Sequence, residues 1–496
     1  MERLSDPLAD RKTKCAKVAF LETITRSKKD IVAFVNSHLG WNHAGEFVKR
    51  HIGSLNVGVS VQNIRTQEHA LIRFPIPAEV YRPPSEPWLE QRVTNEVMVL
   101  NCLALQTTIP VPRVYHWARS ASGLLSSKDT WKEKAFCDIL KAQSNGKEDN
   151  PILDPDMDDS KLDLVYEQIA GFHLQLSRLR FPAIGAISSI TRSGDCTVAW
   201  PPLTYDMNTV ASFTGFPADY FESASTKAPK RAHGYFVERA QSLQINLETH
   251  CGGWHEDENI TWKRYVARHC LERLVPIYCA PDDDEDVDGA YRLFCDGLGP
   301  SNMLADPETM RITALLLGNP AVLANKLGKQ RFLDLFEPRK VQYIRAMERA
   351  EAASPSPPPK PTGVGKEGRP RLLPLSARVR ESWDSGRFWF NLATRSCRDA
   401  DDIYWRFLHR DGRGVSILDE ATLGIREDYL RRKKEQNDTY STRALDDFRD
   451  SLGHPPGSGT KQPRRLMSAE TGLYVGFLIA VGLVLLCFWE SELSRI

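Results

Sequence analysis

Residues 472–489, GLYVGFLIAVGLVLLCFW, carry no charged side chain, and this run limits the fold more than any other feature. As a helix rising about 1.5 Å per residue it would reach roughly 27 Å, close to the thickness of a hydrocarbon core. A buried core helix would need other elements around it. Here the polar GHPPGSGTKQPRR precedes the run and only seven residues follow it. The expectation is therefore one C-terminal transmembrane helix, with the rest of the chain folding separately. Lys461, Arg464 and Arg465 stand before it, and Glu490, Glu492 and Arg495 after it. The excess of cations on the N-terminal side places the large domain in the cytosol, as in a single-pass tail anchor. The modest length suits the thin endoplasmic reticulum bilayer better than a thick plasma membrane, with the mitochondrial outer membrane as the second choice. Gly472 and Gly476 form a GxxxG pair suited to weak homodimer contact. At the front, MERLSDPLADRKTK lacks the apolar stretch of a signal peptide.

The remainder has the composition of a globular protein, 41% hydrophobic and 26% charged. A net charge of +1 argues against nucleic acid as a partner. The one dense basic run, RRKK at residues 431–434, reads as a solvated helix face. Ten cysteines are scattered singly, as reduced thiols are. His250, Cys251, His255, His269, Cys270 and Cys279 gather in sequence without zinc-finger spacing. In the acidic run PDDDEDVDG, Asp284, Asp286, Asp288 and Gly289 match the opening of a calcium loop. The closing Glu is missing, since Cys295 stands there.

Alternation over residues 54–64 and again through ALIRFPIP predicts two antiparallel strands. Val93, Val97 and Leu100 then fall at helical spacing, and TTIPVPRVYHW returns to extended chain. From Asp159 to Leu179 the stripe Leu162, Val165, Ile169, Phe172 and Leu176 marks a helix with a core face. Further helices are expected in ENITWKRYVARHCLERLVPIY and RKVQYIRAMERAEAA. The latter ends at the Pro-rich SPSPPPKPTGVGKEGRPR, a linker or insertion. Beyond it, Phe388, Trp389, Phe390, Tyr404 and Trp405 must rejoin the folded body.

Several of these stretches together, ALIRFPIP, RVTNEVMVLNCL, TIPVPRVYHW, VYEQIAGFHLQLSRLRFPAIGAIS, PPLTYDMN, FCDGLGPSNMLAD and WDSGRFWFNLA, resemble the fungal branch of the aminoglycoside phosphotransferase family over about residues 45–435. The resemblance implies an α+β, two-lobed, protein-kinase-like fold. Its divisions would be an N-terminal helical extension (1–44), an N-lobe (45–118), a degenerate hinge with an insertion (119–160) and a C-lobe (161–350). A Pro-rich linker (351–375), a closing segment of the C-lobe (376–436), a juxtamembrane linker (437–471) and the transmembrane helix (472–489) would complete the chain.

The same resemblance assigns roles. Arg73 would contact nucleotide phosphates and pair with Glu96, although such a pair also reads as a structural ion pair at the surface. Gly53, Ser54 and Asn56 would form the phosphate-covering turn. Asn302 occupies the magnesium-binding place of the catalytic loop, in which a catalytic Asp is expected five residues earlier. Gly297 stands there instead, with Asp296 one position off. The magnesium Asp is likewise replaced, by Leu317, and leucine offers no oxygen ligand. Between Trp117 and Cys137 the expected apolar hinge strand gives way to a polar, irregular sequence.

The first functional expectation is accordingly a membrane-anchored pseudokinase serving as a binding or scaffold module, with no required cofactor. The alternative is an active ATP- and magnesium-dependent small-molecule phosphotransferase using Asp296, or Asp306, in an unusual role. A third reading takes residues 118–137 and 315–330 as wrongly joined exons, which Gly297 speaks against because it lies in a well-matched stretch.

Overall fold

The computed structural model describes residues 6–53, 56–76, 87–118, 122–127, 134–135, 157–202, 205–221, 228–279, 291–293, 303–315, 329–354, 373–409 and 418–453. The expected span at 472–489, with Gly472 and Gly476, lies outside them, as do the Pro-rich 355–372 and the acidic run 281–289. Among the described residues no helix is long and apolar enough to cross a membrane.

The chain begins with two helices, α1 (Pro7–Arg26) and α2 (Lys28–Leu39), the second ending on the left-handed Gly40. Next come β1 (Gly45–Ile52), β2 (Asn56–Asn63), β3 (His69–Pro75), α3 (Pro87–Gln106), β4 (Arg113–Ala118) and β5 (Ser122–Ser127). The five strands form one antiparallel sheet in the order β1-β2-β3-β5-β4. Strand alternation puts Val57, Val59, Val61, Ala70 and Ile72 on one face, packed with Ile24, Ile31, Val35 and Trp41 of the helical pair and the turn after it. The N-terminal helices thus supply the second layer of the sheet's own core.

Strand β5 corrects the expectation of an irregular segment after Trp117. SGLLSS pairs with β3 on one side, Leu124 opposite Ile72, and with β4 on the other, Ala118 opposite Ser122. The sheet therefore runs past residue 118. Serine and glycine have low strand propensity, but a central strand is bonded along both edges, and that pairing overrides composition.

The helical body contains α4 (Asp159–Leu176), the hairpin β7 (Ala186–Ile190) and β8 (Cys196–Trp200), α5 (Tyr205–Ser212), α6 (Ala232–Thr249), α7 (Glu258–Arg273) and the single turn α8 (Val275–Tyr278). A small sheet follows, in which β9 (Met303–Ala305) lies between β10 (Ile312–Leu315) and β6 (Lys134–Ala135). Then come α9 (Lys329–Ala353), α10 (Leu375–Ser385), α11 (Arg387–Thr394), α12 (Ala400–Ile403), α13 (Glu420–Gly424) and α14 (Arg426–Gly453). Asp158 caps α4 by accepting from the amides of Ser160 and Lys161 at 2.8 and 3.3 Å. Along α4 the buried stripe is Leu162, Val165, Tyr166, Ile169, Ala170, His173 and Leu176. Phe172 is only half-buried, because the face turned to α9 passes through 173, where the imidazole Nδ1 meets the Tyr343 hydroxyl at 2.5 Å. Phe388, Trp389, Phe390 and Tyr404 lie in the main core. Trp389 stacks on Phe407 with ring centroids 3.5 Å apart.

Two buried polar clusters hold the body together. Arg268 of α7 is fully enclosed, and all five of its donors are used. It bonds both carboxylate oxygens of Asp401 at 2.9 and 3.3 Å, the carbonyls of Leu243 and Cys397 at 2.6 and 2.9 Å, and Asn246 Oδ1 at 3.0 Å. The second cluster closes the chain on itself. Asp6 accepts from the amides of Ala9 (3.0 Å) and Thr214 (2.5 Å) and from the Tyr440 hydroxyl (2.9 Å), with His250 Nε2 at 3.4 Å. Burial alone would raise the Asp6 pKa, but His250 and the two amides more than offset it and hold the carboxyl well below the usual carboxylate range.

Lys433 corrects the solvated reading of RRKK. Buried residues recur on α14 at 429, 433 and 440, and that stripe draws in one cation of the four. The ammonium of Lys433 donates to the carbonyls of Glu248 and His250, both at 3.0 Å, and to Gln436 at 2.7 Å. Burial is the main cause that lowers its pKa to about 8. Arg431, Arg432 and Lys434 are exposed.

Candidate functional site

Strand β3 and helix α3 bring together the two residues given phosphate-side roles. Arg73 and Glu96 form an ion pair, with side chains 14% and 28% exposed. Alternation along β3 points Leu71 and Arg73 away from the face covered by α1 and α2. Arg73 lies opposite Gly58 on β2 and Gly123 on β5. At Gly58 a Cβ would come within 2.9 Å of Leu71 Cδ1, so the lack of a side chain there leaves room for the Leu71 side chain.

Gly53 and Asn56 close the β1–β2 hairpin, the Gly53 amide donating to the Asn56 carbonyl at 2.9 Å. Asn56 pairs with Pro75, two positions along from the Gly58–Arg73 pair. The turn and the guanidinium are therefore at the same end of the sheet, roughly 7 Å apart along the strand and one strand across. Lys17 Nζ, 3.3 Å from the Gly53 carbonyl, ties the turn to α1. Ser54 lies outside the described residues. So do Asp296, Gly297, Asn302 and Leu317, and their roles stay expectations from sequence.

Asp306 is described, and one of its carboxylate oxygens serves a turn. It opens the β9–β10 turn, where its Oδ1 accepts from the amides of Glu308 and Thr309 at 2.8 and 3.0 Å. Its own backbone bonds Arg311 and Met310 at 3.0 and 2.9 Å. Met310 takes a positive φ of 58°. This carboxylate organises a hairpin. Asp306→Ala should lower stability by about 1 kcal/mol, the usual worth of such a bond, shifting the urea midpoint. Abolished turnover with an unshifted midpoint would instead place Asp306 in catalysis.

The residues that position α3 were not evident in the sequence. Asn95 Oδ1 accepts from the Ile187 amide at 2.7 Å, Gln106 Nε2 donates to the Gly194 carbonyl, and Cys102 meets Cys196. Positions 95, 102 and 106 share one helix face, which lies along the β7–β8 hairpin. Their i, i+7, i+11 spacing was the available signal. Glu96, the next residue after Asn95, points to Arg73 instead.

Of the clustered histidines and cysteines, His255 Nδ1 accepts from the Asp257 amide at 2.9 Å, and His269 packs on Tyr265 with ring centroids 4.1 Å apart. Among the described residues no three His, Cys, Asp or Glu side chains converge as a metal site.

Neither a protein-family model nor a curated protein sequence matches the chain. Among solved structures it is similar to an ethanolamine kinase of Plasmodium vivax at 8% identity and a TM-score of 0.34. The match spans 79% of this chain and 85% of that one. A superposition that loose does not assign a family.

Proposed function

We propose that the chain is a kinase-like pseudoenzyme: a phosphate-binding module with impaired phosphoryl-transfer chemistry, held on a membrane through residues 472–489. The observation that carries this reading is the Arg73–Glu96 pair, set between the third strand of an antiparallel sheet and the helix that follows it. A guanidinium fixed by a carboxylate is oriented for bidentate contact with phosphate oxygens. Phosphoryl transfer further needs a carboxylate to orient the attacking hydroxyl and oxygen ligands for magnesium. Gly297 and Leu317 provide neither, and Asp306 Oδ1 accepts from the amides of its own turn.

The test is thermal unfolding of the purified full chain with ATP, GTP or tripolyphosphate, with magnesium or with EDTA. Each phosphate ligand should raise the midpoint in EDTA, and Arg73→Ala should abolish the rise. A ligand at about a hundred times its Kd adds roughly 2.7 kcal/mol. No shift with any ligand overturns phosphate binding. Magnesium-dependent ADP release overturns the pseudoenzyme reading in favour of an active phosphotransferase that uses Asp296. Membrane attachment is tested separately, by whether the full chain floats with vesicles and a chain ending at residue 455 does not.

A further inference from the structure

We infer that Cys102 and Cys196 form an oxidisable dithiol whose disulfide would fasten α3 to the β7–β8 hairpin. Cys102 is fully buried on the hairpin-facing side of α3, and Cys196 is the half-buried first residue of β8. Their sulfurs lie 3.2 Å apart as free thiols. Closing that gap to a bond of about 2.05 Å takes an approach of roughly 1 Å.

The surroundings hold both sulfurs in place. On either side of Cys102 along α3, Asn95 is bonded to Ile187 and Gln106 to Gly194. The hairpin turn is set by Gly194 at φ +94° and by hydrogen bonds between Thr191 and Asp195. The two cysteines therefore face each other across a contact anchored at both ends. Partial exposure gives an oxidant access to Cys196, and Cys102 is placed to resolve.

A low-molecular-weight disulfide supplies the oxidising equivalents. The Cys196 thiolate attacks one sulfur of the small disulfide and releases one small thiolate, leaving a mixed disulfide. Cys102 then attacks Cys196 Sγ and expels the second small thiolate, which takes up the Cys102 proton. In net terms two protein thiols and one small disulfide become one protein disulfide and two small thiols. Burial, the leading cause, raises both thiol pKa values, so the exchange should quicken as pH rises. Because α3 also carries Glu96, the bond would fix the helix that holds Arg73.

The experiment treats the folded full chain with oxidised glutathione at pH 8.5, blocks remaining thiols with N-ethylmaleimide, and maps non-reduced peptides by mass spectrometry. The expected product joins the Cys102 and Cys196 peptides and is lost on reduction. In Cys102→Ser, Cys196 should accumulate as its glutathione mixed disulfide, because the resolving thiol is gone. Hydrogen exchange in α3 should slow in the oxidised wild type and stay unchanged in the oxidised variant. If exposed Cys15 is glutathionylated while no Cys102–Cys196 link forms, the inference is overturned. None of these measurements requires the chain to bind phosphate, so the outcome is separable from that of the proposed function.

Discussion

Asp401→Ala is expected to cost about 3 to 5 kcal/mol of folding stability, because it leaves the Arg268 guanidinium buried without its counter-charge. Arg268 is sealed from solvent, and the other three of its five donors bond only neutral acceptors. The carbonyls and the Asn246 amide satisfy hydrogen-bond geometry but do not neutralise the charge. Replacing both partners together, as Arg268→Met with Asp401→Leu, should cost less than Asp401→Ala alone, since no charge is then stranded. Urea midpoints for Arg268→Met, Asp401→Leu and the pair close a double-mutant cycle, with Asp401→Ala measured beside them. A loss confined to Asp401→Ala, with Asp401→Asn as stable as the wild type and no coupling between the positions, would show that packing and not charge decides the effect. The pair joins α7 to α12, so its loss should loosen the body and leave the contacts of the five-stranded sheet in place.

Stability should also fall steadily as the solution is acidified from pH 6.5, with His173 a principal cause. Its imidazole is wholly buried against Tyr343, and burial lowers its pKa to about 3. In the unfolded chain the group titrates near its ordinary value of about 6.5. Between those values the unfolded state binds the extra proton, so the contribution is complete above pH 6.5 and is lost as pH falls toward 3. At about 1.4 kcal/mol per unit, the full interval is worth on the order of 5 kcal/mol. His250 and His269 are shifted in the same direction, each mainly by burial, so the wild-type slope sums several groups. His173→Gln keeps a hydrogen-bond partner for the Tyr343 hydroxyl and removes the titration. Its stability between pH 7.5 and 4.5 should decline less steeply than that of the wild type, and an identical decline would remove His173 from the account.

What the sequence disclosed follows the strength of its local signals. The α4 helix was legible because Leu162, Val165, Ile169 and Leu176 repeat at helical spacing over an 18-residue element. Strands β2 and β3 were legible from alternation. Strand β5 was not, since SGLLSS has little intrinsic preference and becomes a strand only when β3 and β4 bond it from both sides. The Arg73–Glu96 pairing could be placed from resemblance, but a sequence cannot show that Asn95, Cys102 and Gln106 hold the same helix from behind. Lys433 illustrates the reverse error: four consecutive cations look alike as text, and helical phase sorts one of them into the interior. Asp306 is a carboxylate whose role only its neighbours reveal, because a turn and an active site call for the same residue type.

The contact between Asp6 and Tyr440 joins positions 434 apart in the chain. A ribosome adding about 5 to 20 residues per second needs roughly 20 to 90 s to cover that interval. The far end of α1 and all of α2 can settle on the sheet once β2 and β3 have emerged, since Ile24, Ile31 and Val35 find their neighbours there. The first turn of α1, with Leu8 and Ala9, must wait for α14. One helix is thus completed in two stages during synthesis, and its opening turn is the segment that nascent-chain binding factors would hold longest.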